Sequence, residues 1–258
     1  MNAPQPDNSL EVLRREIDSI DDQILALLVR RFAATAKVGV SKARDGSISS
    51  SPIRPAREAA MLRRLAAQGG ADVQPQLLVR LWRVILSASI QSQAPITLHM
   101  DRSLAHDLEA RLLVSQYFCE MSAELHDTPS ATLEVVKRRR CDLAVIAAAS
   151  AWPDGASHVM AGGVGVISAL PFVRNIAEPR LLVFGHAEPQ PSGDDETVLF
   201  SPAPVTLPPS TLWMVETGSH KVFAVPGFLQ AEDPMLRDFL TRFPETRIVG
   251  RCPRPMRT

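Results

Sequence analysis

No apolar run in this 258-residue chain approaches the ~20 residues that a membrane span needs. The opening MNAPQPDNSL has no basic segment leading into an apolar one, so no secretory signal is expected there. Cysteine is scarce. Cys119, Cys141 and Cys252 are odd in number and scattered, which suits neither a disulfide framework nor a metal cluster, and a reducing cytoplasm is the expectation. The 6 histidines are scattered as well, so no metal site and no cofactor is expected. There is no glycine-rich phosphate loop and no internal repeat. No basic cluster is interleaved with aromatics, so neither nucleic acid nor a membrane is expected as a partner. The net charge is zero but unevenly placed. Residues 1–95 carry 13 Lys/Arg against 9 Asp/Glu, and the remainder carries 15 against 19. A basic first half attracts small anions.

Proline is absent between Pro6 and Pro52, and only Gly39 and Gly46 interrupt that stretch. Asn8 and Glu11 make a capping-box pattern. Leu10, Leu13, Ile17, Ile20, Ile24 and Leu27 then recur at three–four spacing, which predicts one helix from Ser9 to Arg44. A single amphipathic helix of that length cannot cover its own stripe and needs a partner helix. Asp45–Ser51 reads as a loop. Pro52 and Pro55 open a second helix ending at Gly69-Gly70, and a third runs from Pro75 to Gln93. Three helices make an all-α unit over residues 1–95. From residue 96 to residue 258 the texture changes. Short apolar runs at Leu143–Ala149, Val164–Ala169, Arg180–Phe184, Val198–Phe200 and Trp213–Val215 predict strands. Leu104–Phe118 and Ala131–Arg140 keep helical periodicity. The second region is therefore expected to be α/β, and the whole chain multi-domain, α followed by α/β.

Several polar residues of the helical unit occupy positions that the patterns reserve for apolar side chains. Arg31 stands in line with Leu10, Ile17 and Ile24, and Lys42 lies near the same line about 16 Å further along the axis. Glu58 shares a helix face with Leu62 and Leu65. Ser89 and Gln93 continue the stripe of Leu78, Trp82 and Ile85. Each alone has a structural explanation, a buried ion pair or a hydroxyl bonded to the backbone. Together they outline a cavity suited to a small polyanion, most simply a dicarboxylate.

The first 95 residues resemble the all-helical chorismate mutase family. The resemblance rests on LRREIDSIDDQILALLVRR in the first helix, Lys42 near its end, Arg57-Glu58 in RPAREAAML, and LWRVILSASIQSQ in the third helix. It implies an intertwined helical homodimer with shared active sites, converting chorismate to prephenate in aromatic amino acid biosynthesis. Carried over by position, Arg14 is the arginine lent to the partner's pocket. Arg31 and Arg14 hold the two carboxylates, with Ser89 assisting. Lys42 and Gln93 flank the ether oxygen, Glu58 accepts the ring hydroxyl, and Arg57 supports the pocket. Arg54 departs from the family, where an acidic residue is common. It either adds a carboxylate contact or is a solvated loop residue. The same scaffold also serves isochorismate pyruvate lyases, though these lack the Glu58 and Ser89 pair. A non-catalytic sensor of aromatic precursors is a further reading.

Residues 96–258 resemble prephenate dehydratase in HDTPSATLEVVKRRRCDLAVI and in RNIAEPRLLVFGHAEPQPSGDDETVLF. That resemblance implies a two-lobed, periplasmic-binding-protein-like fold and suggests an aromatic amino acid effector. The family's Thr-Arg-Phe motif falls on Pro179, Arg180 and Leu181, so its hydroxyl is missing. The domain is expected to be degenerate, with no dehydratase activity. Asn175, Arg180 and the His126-Asp127-Thr128 turn are either ligands for a small acid or structural.

Overall fold

The structure is a computed structural model, and it describes residues 7–44, 52–119, 121–150, 163–186 and 188–257. The expected loop Asp45–Ser51 falls outside them. The chain forms two compact units, Met1–Ile48 and Ser49–Thr258.

The described residues of the first unit form one helix, α1 (Asp7–Arg44), about 57 Å long at 1.5 Å per residue. Its length follows from the absence of proline and the unbroken three–four repeat. Leu10, Leu13, Ile17, Ile20, Ile24 and Leu27 are each roughly half exposed, from 48% to 58%.

The second unit begins with α2 (Pro55–Gly69) and α3 (Pro75–Gln91), each with proline in its first turn. Sequence texture divides the chain near residue 95, but these two helices pack within the larger unit. Ala59, Leu62, Leu78 and Val79 close a small core around Phe172. Arg63 of α2 donates to the carbonyls of Asp194 at 2.7 Å and Arg254 at 2.6 Å, pinning the helix to two loops of the sheet region. The buried face of α3 is Leu78, Val79, Arg83, Leu86, Ser87, Ser89 and Ile90, whereas Trp82 and Ile85 are half-buried. The stripe is thus turned slightly from the expected Leu78–Trp82–Ile85 line. The helix also stops at Gln91, two residues before Gln93.

Beyond them come β1 (Thr97–Asp101), α4 (Arg102–His106), α5 (Leu108–Phe118), β2 (Ser122–His126), α6 (Pro129–Arg138), β3 (Leu143–Ala147), β4 (Gly165–Leu170), β5 (Leu181–Gly185), β6 (Asp195–Pro202), β7 (Trp213–Thr217), β8 (His220–Pro226), α7 (Pro234–Arg242) and β9 (Arg247–Pro253). The expected helix Leu104–Phe118 is broken at Asp107. Its backbone is extended and its carboxylate caps α5 by accepting the Ala110 N–H at 3.0 Å.

The described strands join one mixed sheet in the order β2-β1-β3-β5-β4-β9-β6-β8-β7. Strands β4 and β9 join the two halves of the sheet, β2-β1-β3-β5-β4 and β9-β6-β8-β7, through the pairing of Val166 with Gly250. That junction is tight. A Cβ on Gly250 of β9 would lie 2.2 Å from the Val166 carbonyl oxygen of β4, so only glycine allows the approach. One face of the sheet near β1 and β3 buries Leu98, Met100, Leu143, Val145, Leu181 and Val183 with α5. The other buries Ala144, Ile146, Leu182 and Phe184 with Leu133 and Val136 of α6.

Candidate active site

Glu58 is the best-defined member of the expected site. Pro55 opens α2 and places Glu58 in its first turn, where the positive helix end favours a carboxylate. The side chain is buried, with one oxygen accepting the Arg54 backbone N–H at 3.3 Å. Its other oxygen meets Nη1 of Arg83 at 2.7 Å. Arg83 was missed by sequence reasoning. It lies on α3 between Val79 and Leu86, and it is only 6% exposed. The signal was present, since an arginine on a buried face needs an anion. That anion, Glu58, is 25 residues away in sequence. The Arg83 guanidinium also lies 3.8 Å above the Tyr117 ring of α5, an attraction of cation and ring quadrupole. The Tyr117 hydroxyl in turn contacts the Ser168 hydroxyl of β4 at 3.3 Å. Burial raises the Tyr117 pKa, and the neighbouring Arg83 charge opposes that rise.

Ser89 and Gln93 are close to each other but turned to their own helix. The Ser89 hydroxyl donates to the Ile85 carbonyl at 2.7 Å, and Gln93 Nε2 donates to the Ser89 carbonyl at 3.0 Å. Ser89 is buried and Gln93 half-buried. Arg57 is exposed. Arg54 is half-buried and lines a small cavity with Ile53, Ile167, His186, Glu188 and Arg251. On α1, Arg14 is exposed and Arg31 half-buried, and burial lowers the Arg31 pKa. Lys42 belongs to the same helix, but its side chain lies outside the described residues. The structure thus joins Glu58 to the Arg54 backbone and Gln93 to Ser89. Arg14, Arg31 and Lys42 belong to the other unit.

Among the candidates in residues 96–258, Arg180, Asp127 and Thr128 make ion pairs or a helix cap. Arg180 pairs with Asp107 at 2.6 Å and Glu109 at 2.8 Å, bracing the start of α5. The Ala110 backbone N–H and then Arg180 hold the Asp107 carboxyl below the usual carboxylate range. Thr128 caps α6 by accepting the Ala131 N–H at 3.1 Å, and Asp127 pairs with Arg102 at 2.8 Å on the surface. His126 contacts His99 at 2.9 Å. Burial, followed by the His99 charge, lowers the His126 pKa. Asn175 lines a cavity with Arg174, Glu196, Trp213, Arg254 and Arg257. Burial raises the Glu196 pKa there, opposed by Arg174. Pro179 borders a different recess with Glu178, Arg180 and Leu112. Among the described residues no helix is long and apolar enough to cross a membrane. All three cysteines are free.

A helical region carrying inward-facing polar residues, followed by an α/β sheet domain, defines the class of this protein. Residues 13–94 match the family model described as chorismate mutase type II, and the N-terminal region carries a domain of that family. No curated protein matches the chain. One solved structure, described as "GqqA- a novel type of quorum quenching acylases", is similar at 18% identity. The match covers 62% of this chain and 95% of that chain with a TM-score of 0.37.

Proposed function

We propose that this protein is a chorismate mutase that works as a homodimer, with the α/β domain as an accessory without dehydratase chemistry. The match of residues 13–94 carries this reading. The rearrangement of chorismate to prephenate is unimolecular and calls for no cofactor, metal or nucleophile. It needs the substrate held in a compact conformer and fixed donors at the ether oxygen, where negative charge grows. Arg14, Arg31 and Ser89 would hold the two carboxylates, assisted by Arg57 and Arg54. Lys42 and Gln93 would serve the ether oxygen, and Glu58 the ring hydroxyl. Gln93 would have to leave the Ser89 carbonyl to do so. Glu58 would act with Arg83 already neutralising its charge, so its role would be to accept a hydrogen bond rather than a proton.

Helix length supports pocket sharing. Arg14 and Lys42 are 28 residues apart on α1, about 42 Å along its axis. One small dicarboxylate cannot touch both on one helix, so a pocket using both would need two chains. The exposed stripe of α1 is the natural seam for that dimer. A cytoplasmic location suits such an enzyme. Incubating the purified protein with chorismate tests the reading. The expected product is prephenate, formed without added metal. Pyruvate release from isochorismate with no prephenate from chorismate would mark a lyase. Chorismate binding without turnover would mark a sensor. In the second domain Pro179 offers neither a hydroxyl nor an N–H at the expected acid position. Prephenate should therefore give no phenylpyruvate above its spontaneous rate.

A further inference from the structure

We propose that His99, Glu124 and His126 form a site for one divalent transition-metal ion of the zinc class, at the β1–β2 edge of the sheet. The proposal is independent of the mutase reading. Parallel pairing sets His99 opposite Glu124 and Asp101 opposite His126. Side chains of paired residues, and of residues two apart along a strand, share a face. His99, Glu124 and His126 therefore project together. Their nearest donor atoms all lie within 4.8 Å of one another. His99 Nδ1 is 2.9 Å from His126 Nε2 and 3.6 Å from Glu124 Oε2. Donors held about 2.0–2.1 Å from a tetrahedral zinc ion are roughly 3.3 Å apart. Both His99 pairs are within a few tenths of an ångström of that spacing, and the exposed Glu124 side chain can adjust to close the rest.

The surroundings are built as a metal site requires. His99 is fully buried, and its Nε2 meets Asp142 Oδ2 at 3.0 Å. The other Asp142 oxygen accepts the Thr97 N–H at 3.1 Å, so the carboxylate is fixed. An Nε2–H donated to Asp142 leaves the Nδ1 lone pair of His99 facing Glu124 and His126. This is the carboxylate–histidine–metal arrangement that orients ligands and raises their basicity. With the ion bound, His126 carries its proton on Nδ1 and offers Nε2. Arg139 Nη1 straddles Glu124, 3.4 Å from Oε1 and 3.5 Å from Oε2, and lies 3.6 Å from Asp142 Oδ2, so Oε2 would turn from Arg139 to meet the ion while Oε1 keeps its contact. Two carboxylates face the combined charge of Arg139 and the metal. Strand β2 ends the sheet and is mostly exposed, so the ion has a path from solvent. Two histidines and one carboxylate leave a fourth position for water, the ligand count of an open zinc site.

Untagged full-length protein, stripped with chelator and desalted, tests the site. Zn²⁺ is titrated by calorimetry and Co²⁺ by visible absorption. The expected result is one ion per chain, with the Co²⁺ bands of a tetrahedral nitrogen–oxygen site. His126→Ala and Glu124→Gln, both at the open edge, should each weaken Zn²⁺ binding at least about tenfold with unchanged melting of the metal-free protein. Asp142→Asn should weaken it about 10–100-fold, as loss of an outer-shell partner does. Absence of stoichiometric uptake by the wild-type protein overturns the proposal. So does uptake with the same affinity in folded His126→Ala.

Discussion

Leu10, Ile17 and Ile24 of α1 keep 50% or more of their surface, whereas Leu133, Ile146, Phe184 and Phe223 of the larger unit keep none. The two regions contain similar residues and differ in what their chain can supply. A nine-stranded sheet with helices against it closes its own core, because strands distant in sequence meet side by side. A single helix by itself supplies no second layer. Covering each half-exposed leucine or isoleucine of the stripe would contribute on the order of 1 kcal/mol. The sheet domain is thus complete as a fold, whereas α1 leaves its apolar stripe half-exposed, and the proposed homodimer would cover it. Within the proposed enzyme, the incomplete region carries Arg14, Arg31 and Lys42.

The largest expected effect lies in the complete region. Arg83→Ala leaves Glu58 buried without its cation, and breaking such a pair costs about 3–5 kcal/mol. A urea melt of the variant should show that loss, and the double variant Arg83→Met with Glu58→Leu should recover much of it. Equal stability of the single variant and wild type would mean the pair contributes nothing.

Lys42→Ala should act on rate rather than folding. Removal of one donor to developing charge typically costs about 10²–10³ in kcat. Steady-state kinetics with chorismate checks it, and a wild-type kcat in the folded variant removes Lys42 from the proposed mechanism. Mixing Arg14→Ala with Lys42→Ala chains should restore part of the activity, because one pocket of a mixed dimer is then intact. Demonstrated subunit exchange with no recovery would refute pocket sharing.

Ile17→Asp with Ile24→Asp sharpens the contrast between the regions. Sedimentation should show a monomer, while the melting transition of the sheet domain stays within a few degrees of wild type. A dimer surviving both charges would place the dimer seam elsewhere.

The smallest effect is a pH dependence. The folded Asp107 carboxyl titrates below its unfolded value, so the stability it contributes is present above the ordinary carboxylate range. That stability is lost as pH falls through the lowered folded value. The gap between wild type and Asp107→Asn, followed by denaturant melts, should therefore be present near neutrality and close in acid. A gap that widens in acid would contradict the sign.

Much of the helical region was legible in sequence. The uninterrupted repeat marks α1 to within two residues at its start, and Pro55 and Pro75 mark the first turns of α2 and α3. The runs around Val145, Ile167, Val183, Leu199 and Met214 mark strands, since continuous apolar segments suit a sheet covered on both faces. Strands β1 and β2 escaped, because His99, Asp101, Glu124 and His126 interrupt their apolar pattern. So did β8 and β9. Asp107 divides a region whose periodicity reads as one helix, since its carboxylate satisfies backbone donors better at a cap than within a helix.

By itself the sequence determined where α1, α2 and α3 start, that α1 carries an apolar stripe, and that Glu58 and Ser89 stand on apolar faces. Only the tertiary structure decided what those residues meet. Glu58 finds Arg83, Ser89 turns to its own backbone, and His99 lies beside His126 across 27 residues. The reason is physical. Periodicity and capping act within a few residues along the chain, whereas ion pairs and clusters between distant segments depend on strand register and helix packing, which no local pattern encodes.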